Sequence, residues 1–215
     1  MDPLLNSPMF AGQFPARPNA SKFLFVDTET TGIDPKVHDP WSIAGSIESG
    51  GTIVQNFNLT TRGWSPDKAD PESLRIGGIT AAQLVTFPRP SETLNDLLSF
   101  LACAVSRYNP LDRLTIVAYN ARFDKDFLYH FFKRGGKSLW NFCTYYPVDV
   151  YALAIWAGTR MFRLFPELAG IPNYKLATVA KAFSVPLDHA HAAAADIEAT
   201  RTILHIIETR TVARS

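Results

Sequence analysis

The chain has 215 residues, of which 47% are hydrophobic, and this is enough apolar material for one domain with a sizeable core. Its 21 basic and 20 acidic residues leave a net charge near +1, which excludes a protein that attracts polyanions through overall charge alone. No apolar run reaches 18 residues and the start lacks the pattern of a signal peptide, so we expect a cytoplasmic protein without membrane contact.

The two cysteines, Cys103 and Cys143, lie in apolar surroundings without a CxxC pair or a nearby histidine. This pattern is typical of reduced core residues in an intracellular protein. A zinc site built on cysteine is therefore not expected.

Residues 1–20 are rich in proline and show no periodicity. They predict a flexible arm, and the alternative is a docking segment for a protein partner. The remainder is assigned to one domain, residues 21–210, followed by a short tail at 211–215.

The first elements of the domain are predicted to be strands. Residues 22–27 form a short apolar run of the kind that makes a buried strand. Residues 42–48 and 52–60 are two further extended segments, and the Gly50-Gly51 pair between them predicts a hairpin.

Helices and strands alternate in the second half. Residues 91–107 have helical apolar spacing with Ser91 as the expected cap, residues 114–118 form a strand, and a helix with a phenylalanine stripe follows. The remaining predicted elements are a weak fifth strand at 142–146 and helices at 148–156, 176–183 and 192–207. The order predicts an α/β domain with a mixed sheet covered by helices on both faces.

The first chemical motif is the octapeptide that runs from Phe25 to Gly32. Its two acids, Asp27 and Glu29, are two residues apart on a strand end and therefore project from one face. Adjacent carboxylates repel each other unless a cation joins them, so the pair favours a divalent metal site. The alternative is that Asp27 and Thr30 only make turn and capping hydrogen bonds.

The second motif lies at the junction of the fourth strand and the next helix, at residues 117–124. Asp124 falls in the first turn of that helix, where the helix dipole alone could explain a carboxylate. Asn120 could cap the helix, and Phe123 begins the apolar stripe, so core packing is its ordinary role.

The third motif joins His191 and Asp196 near the start of the last helix. Five residues of helix would separate the two side chains by about 140°, so they converge only if His191 lies on the preceding loop. A loop histidine could serve as general base while Asp196 binds a metal. His189 is the competitor for the base, and an alanine-rich packing surface is the alternative for the segment.

In this order the three motifs resemble the DEDD exonucleases whose fifth residue is histidine, the DnaQ-like DEDDh family. The resemblance spans residues 22–208 and includes residues 71–80 and the Lys175-Leu176 pair. It implies a ribonuclease H-like fold with a five-stranded mixed sheet. It also implies four metal-binding acids and one histidine base, which fall on Asp27, Glu29, Asp124, Asp196 and His191.

The resemblance implies a 3′–5′ exonuclease that releases nucleoside 5′-monophosphates from nucleic acid 3′ ends, which we expect to be single-stranded. Two Mg²⁺ or Mn²⁺ ions about 4 Å apart would act on the scissile phosphate. The candidate residues for binding the terminal nucleotide are Thr28, Thr31, Asn120 and Phe123. The alternatives are an RNA-processing exoribonuclease and a binding module on this fold that does not cut.

Two positions depart from the family pattern. Tyr119 and Gly77 stand where many members have histidine. Neither is among the expected metal ligands, so the departures bear on substrate preference.

Overall fold

A five-stranded mixed sheet forms the centre of the computed structural model, which describes residues 22–106, 108–187 and 193–212. The strands are β1 (Lys22–Thr30), β2 (Pro40–Ser49), β3 (Thr52–Thr60), β4 (Thr115–Ala118) and β5 (Val148–Asp149). They lie in the order β3-β2-β1-β4-β5. The first three strands pair antiparallel, whereas β4 and β5 run parallel to β1.

Seven α-helices surround this sheet in the described residues. They are α1 (Pro71–Ile76), α2 (Ala81–Leu84), α3 (Pro90–Ala104), α4 (Ala121–Arg134), α5 (Val150–Arg160), α6 (Leu176–Ala182) and α7 (Ala193–Val212). Short 3₁₀ turns occur at Pro66–Lys68, Leu139–Asn141 and Pro166–Leu168. Among the described residues, no helix is both long enough and apolar enough to span a bilayer.

Both faces of the sheet are covered, as the sequence predicts. Leu24 and Val26 of β1 are buried with side chains of α3 and α4, whereas Phe25 is buried with side chains of α5, α6 and α7. This division follows from the two-residue period of a strand, which sends neighbouring side chains to opposite faces. Each fully buried leucine or phenylalanine stabilises the fold by about 1.5–3 kcal/mol. The predicted α/β fold with a five-stranded mixed sheet is confirmed.

The predicted hairpin is also present between β2 and β3. Gly50 and Gly51 have φ of 61° and 82°, the left-handed backbone that a tight two-residue hairpin turn requires. A side chain at either position would be strained.

The start of α3 differs from the prediction. The helix begins at Pro90, and Ser91 lies inside it, so Ser91 is not the cap. Proline suits the first helical position because its fixed φ is helical and its missing N–H would have no helical partner. The Glu92 side chain instead accepts a hydrogen bond from the backbone N–H of Arg89 at 3.0 Å.

The fifth strand lies later than predicted. The segment at 142–146 contributes only an isolated bridge between Cys143 and Leu114, and the strand itself is Val148–Asp149. Asp149 then ends the strand and caps α5 by accepting from the Tyr151 N–H, so that helix starts at Val150. The pattern of apolar residues alone did not show where this strand would give way to a helix.

The region between β3 and α3 holds two short helices that were not predicted. Asp70 caps α1 by accepting from the Glu72 N–H, and Thr80 with Gln83 forms a capping box on α2. These helices have one turn or little more, which is too short for apolar periodicity to reveal.

The last helix is longer than predicted, because α7 continues past Ile207 to Val212. The predictions about the arm at 1–20 and about His191 fall on residues outside those that the structure describes.

Candidate active site

The ends of β1 and β4 bring the first two motifs together. These strands are parallel, with Phe25 opposite Val117, so their carboxyl ends lie at the same edge of the sheet. β4 stops at Ala118, whereas β1 continues to Thr30, so β1 extends beyond its partner at this edge. The first turn of α4 follows there and places Asp124 next to the exposed end of β1.

Two hydrogen bonds fix Asp124 to β1. The backbone N–H and the hydroxyl of Thr28 both donate to Asp124 Oδ1, at 2.9 and 2.8 Å. Thr28 lies past the last residue of β1 that pairs with β4, so the carboxylate takes a backbone donor that the strand ladder does not use. Asp124 is 4% exposed, and its orientation is set by these contacts.

The four predicted acids share one electrostatic environment. Burial, together with the negative charges of Asp124, Glu29 and Asp196, raises the pKa of Asp27 to about 8. Burial likewise raises the pKa of Asp124 to about 7, although the hydrogen bonds from Thr28 oppose this shift. This edge of the sheet therefore brings together carboxyl groups that are costly to ionise in the folded protein.

Helix α7 supplies the fourth acid from the other side of the sheet. Asp196 lies in its first turn, where the positive end of the helix dipole favours a carboxylate. Ile197, Ala199 and Thr200 are buried in the following turn and fix the helix against the rest of the fold. His191 and His189, the candidates for the base, lie outside the described residues.

The donor chemistry of this cluster suits a hard divalent cation, because carboxylate oxygens are the ligands that Mg²⁺ and Mn²⁺ prefer. The raised pKa of Asp27 supports the fit, since a cation would offset the repulsion among these acids. Among the residues that the structure describes, however, no three histidine, cysteine, aspartate or glutamate side chains are already arranged to hold an ion. The acids therefore fit a divalent cation in their ligand type and charge, and not in a preformed coordination geometry.

Asn120 and Phe123 lie beside this cluster, where the Asn120 side chain does not cap the helix and Phe123 packs against the apolar stripe with part of its ring exposed. Asn120 has a left-handed backbone with φ of 71°, and its side chain makes no capping hydrogen bond. Its backbone N–H donates to Asp149 Oδ1 at 3.1 Å. Phe123 is only half-buried, with its ring 4.7 Å from the ring of Phe127.

These two residues line a small pocket at the start of α4. Its volume is about 300 Å³, which is near the lower limit for small-molecule sites. One wall is Ile33, an 82% exposed side chain that follows the first motif directly and was not among the predicted site residues. An apolar residue directly after Gly32 was the available signal. The pocket is lined by Ile33, Pro35, Asn120, Arg122, Phe123, Asp126 and Phe127.

The sequence model of the RNase_T exonuclease family matches residues 24–204, which include β1, β4 and most of α7. The chain belongs to this exonuclease family. The predicted membership of the DnaQ-like 3′–5′ exonucleases is therefore confirmed.

Relatives of this exonuclease domain occur within longer proteins. It is 28% identical over 183 residues to the PolC-type DNA polymerase III of Bacillus cereus, with 85% of this chain and 11% of that protein covered. It is 28% identical over 193 residues to the 3′-5′ exonuclease DinG of Bacillus subtilis, with coverage of 88% and 18%. The domain thus spans less than a fifth of either relative.

The fold is shared with E. coli exonuclease I. The structure of that enzyme in complex with a dT13 oligonucleotide has a TM-score of 0.70 and 22% sequence identity to this chain. The match covers 90% of this chain and 42% of the exonuclease I chain. This likeness confirms the ribonuclease H-like architecture.

Thr31 holds the loop that follows the first motif of the exonuclease domain. The side chain is 1% exposed, and its hydroxyl accepts a hydrogen bond from the Asp39 N–H at 3.0 Å. The Thr31 N–H donates to the Asp39 carbonyl at 2.8 Å. These two hydrogen bonds between Thr31 and Asp39 close the loop that carries Ile33. The buried Thr31 therefore helps to fix the position of the exposed Ile33.

The two departures from the family pattern have structural counterparts. The hydroxyl of Tyr119 donates to the Tyr174 carbonyl at 2.5 Å, which ties the end of β4 to the loop before α6. Burial raises the pKa of Tyr119, so this hydroxyl stays a neutral donor. Gly77 lies against Trp41, and an added Cβ would be 3.0 Å from the indole ring. A histidine at Gly77 would therefore displace Trp41.

Proposed function

We propose that this domain is a divalent-metal-dependent 3′–5′ exonuclease that removes nucleoside 5′-monophosphates from single-stranded DNA. The observation that carries the proposal is the group of four acids at one edge of the sheet, where burial and the charges of the other three acids raise the pKa of Asp27 to about 8. DinG is a 3′-5′ exonuclease, which supports the direction of digestion, and the dT13 oligonucleotide bound to exonuclease I supports single-stranded DNA as the substrate.

Asp27, Glu29, Asp124 and Asp196 would hold Mg²⁺ or Mn²⁺, with two ions per site as the resemblance implies. When bound, the metal would activate water at neutral pH and stabilise negative charge on the reacting phosphate. Asp27 is the central acid, because the charges of the other three all act on it. Thr28 orients Asp124 through its two hydrogen bonds and keeps one oxygen of that carboxylate fixed.

His191 is proposed to accept a proton from the attacking water. Its intrinsic pKa near neutrality suits a general base, and the argument for it rests on its spacing from Asp196. Asn120 and Phe123, together with Ile33, would line the pocket of the terminal nucleotide. The backbone of Thr28 is the remaining candidate contact, whereas we assign Thr31 to the loop because its side chain is buried.

The central experiment is digestion of end-labelled single-stranded and duplex DNA and RNA with Mg²⁺, with Mn²⁺ and with chelator. We expect stepwise shortening from the 3′ end of single-stranded DNA that stops when chelator is added. Faster digestion of RNA would move the domain to the exoribonucleases. Binding without shortening of any substrate would support the non-catalytic alternative.

A matched pair of histidine variants tests the base. His191→Ala should lower turnover by roughly two orders of magnitude, the usual contribution of a general base. His189→Ala serves as the control and should leave turnover nearly unchanged. If His189→Ala has the larger effect, the assignment of the base by spacing is wrong.

A further inference from the structure

A stack of three aromatic rings lies along the solvent side of α4. The Tyr129 ring stacks on Trp140 with centroids 5.6 Å apart and planes at 22°. Trp140 in turn stacks on Tyr145, with centroids 4.4 Å apart and planes at 27°. Tyr145 ends the stack and is 62% exposed, and the next residue, Tyr146, is 87% exposed.

Packing explains only the inner part of this stack. Tyr129 and Trp140 pack against the buried cluster beneath α3 and α4, so core contact accounts for both rings. Tyr145 stacks on Trp140 and is mostly exposed. A large, mostly exposed ring held parallel to another ring presents an aromatic surface to solvent, which is typical of a binding site for flat ligands.

The stack begins close to the candidate active site. Tyr129 and Asp124 are on the same helix and five residues apart, which is about 8 Å along the helix axis and about 140° around it. Tyr145 lies in the irregular segment between the bridge at Cys143 and β5, and β5 ends at Asp149, whose side chain accepts from the Asn120 N–H. A polynucleotide whose 3′ end lies at Asp124 would therefore pass around α4 to reach the rings.

Positive charge surrounds the rings. The Lys133 ammonium group is 5.7 Å from the centre of the Tyr129 ring. The Arg113 guanidinium donates to the Trp140 carbonyl at 3.3 Å and also to two other backbone carbonyls, which are uncharged acceptors. Arg113 and Lys137 line an adjoining groove of about 810 Å³.

The acids nearest to this surface are engaged with bases. Asp126 lies 3.3 Å from Lys125 and 3.7 Å from Arg122, and Asp112 pairs with Lys22 at 2.7 Å. The pKa of His130, whose ring packs edge-on against Tyr129, is lowered by burial and then by the charges of Arg134, Lys133 and Lys36. The surface is therefore suited to a polyanion.

We propose that Tyr129, Trp140 and Tyr145 form a stacking platform for the bases of a single-stranded polynucleotide whose 3′ end lies in the active site. The inference rests on the proposed function. It identifies the surface that would bind the part of the substrate outside the active site. Stacking tolerates any base, and nearby lysine and arginine side chains neutralise the phosphates, as in other single-strand binding surfaces.

The test compares binding of long oligothymidylate and oligouridylate by fluorescence anisotropy in an Asp27→Asn background, where cutting is suppressed. Tyr145→Leu should raise Kd roughly tenfold, the range expected for loss of one stacked base. Tyr145→Phe keeps the ring and should stay within about twofold of the parent. Phe162→Leu, at a 51% exposed aromatic residue after α5, is the matched control and should also be neutral.

Two further measurements separate stacking from a structural effect. Oligonucleotide binding should quench tryptophan fluorescence, and Trp140→Phe should remove that quenching. In the otherwise native protein, Tyr145→Leu should raise KM for long oligothymidylate more than for a thymidine dinucleotide, because the longer strand offers more bases to the stack.

The platform is overturned if Tyr145→Leu changes Kd for long oligonucleotides no more than Phe162→Leu does, or if binding leaves Trp140 unquenched. Failure of the proposed function gives a different result. In that case the native protein cuts neither the dinucleotide nor the long oligonucleotides, whatever the Kd values are. A preference for oligothymidylate over oligouridylate, or the reverse, identifies the polynucleotide that the platform holds.

Discussion

Two groups of buried acids in this domain illustrate opposite ways of placing a carboxylate in a protein interior. Glu48 of β2 is 1% exposed and lies 2.6 Å from Arg201 and 3.0 Å from His205. Asp27 of β1 instead has carboxylates as the neighbours that act on its charge. Both groups contact α7, which supplies Arg201 and His205 to one and Asp196 to the other.

The difference separates a carboxylate that stabilises the fold from carboxylates that are suited to binding a metal. A buried carboxylate that has a guanidinium beside it needs nothing from solution, and its role is to hold β2 and α7 together. A cluster of acids that raise one another's pKa is unfavourable until a cation arrives, which is the property expected of a metal site. This contrast leads to four predictions.

The largest effect is expected from Asp27→Asn. This isosteric change removes the central charge of the acidic cluster, so nuclease turnover should fall by roughly three orders of magnitude or more. The metal-free protein should be as stable as the parent, or more stable, because a repulsive charge has been removed. Rates on labelled oligonucleotide and thermal unfolding with chelator measure the two effects, and retained activity would contradict the assignment.

Arg201→Met tests the other group. Removing the guanidinium leaves Glu48 buried with a weaker partner in His205, so the free energy of unfolding should fall by about 2–4 kcal/mol. Denaturant unfolding measures this loss. The double variant Arg201→Met with Glu48→Gln should recover part of it, and the activity per folded molecule should not change.

The pH dependence of stability distinguishes the two groups without mutation. The folded-state pKa values of Asp27 and Asp124, about 8 and about 7, are raised above the ordinary value of 3.8. Stability from the protonated acids is therefore fully present below pH 4 and is lost as pH rises toward 8.

Metal-free protein should accordingly lose several kcal/mol of stability between pH 5 and pH 8, because two acids with raised pKa values ionise over this range. Saturating Mg²⁺ should restore stability most at pH 8, because it binds the ionised acids. Thermal unfolding at both pH values, with Mg²⁺ and with chelator, measures this. A loss of the same size in Asp27→Asn would show that the titrating groups lie elsewhere.

The smallest effect is expected from Thr28→Val, which removes one of the two donors to Asp124 and keeps the shape. The hydroxyl lowers the pKa of Asp124, so its loss should make that acid harder to ionise. We expect the Mg²⁺ concentration for half-maximal activity to rise about tenfold. Thr28→Ser keeps the donor and is the control. An unchanged Mg²⁺ requirement would mean that the backbone N–H alone fixes Asp124.

The sequence predicted the elements with strong local signals. A short apolar run identified β1, extended segments on either side of two glycines identified β2, β3 and their hairpin, and apolar spacing identified the long helices α3 and α4. It missed α1 and α2, because their few turns depend on caps at Asp70 and Thr80, and it misplaced β5, because two residues carry no periodicity.

For the candidate site, the sequence by itself identified Asp27 and Glu29 as a repelling pair, since two residues on a strand share a face. Only the tertiary structure brought Asp124 and Asp196 into their field, because the parallel ends of β1 and β4 and the start of α7 meet at one edge. It also decided that Thr31 is buried, that Ile33 is exposed, and that Asn120 does not cap its helix. Such contacts depend on pairings between distant parts of the chain, which local sequence patterns do not record.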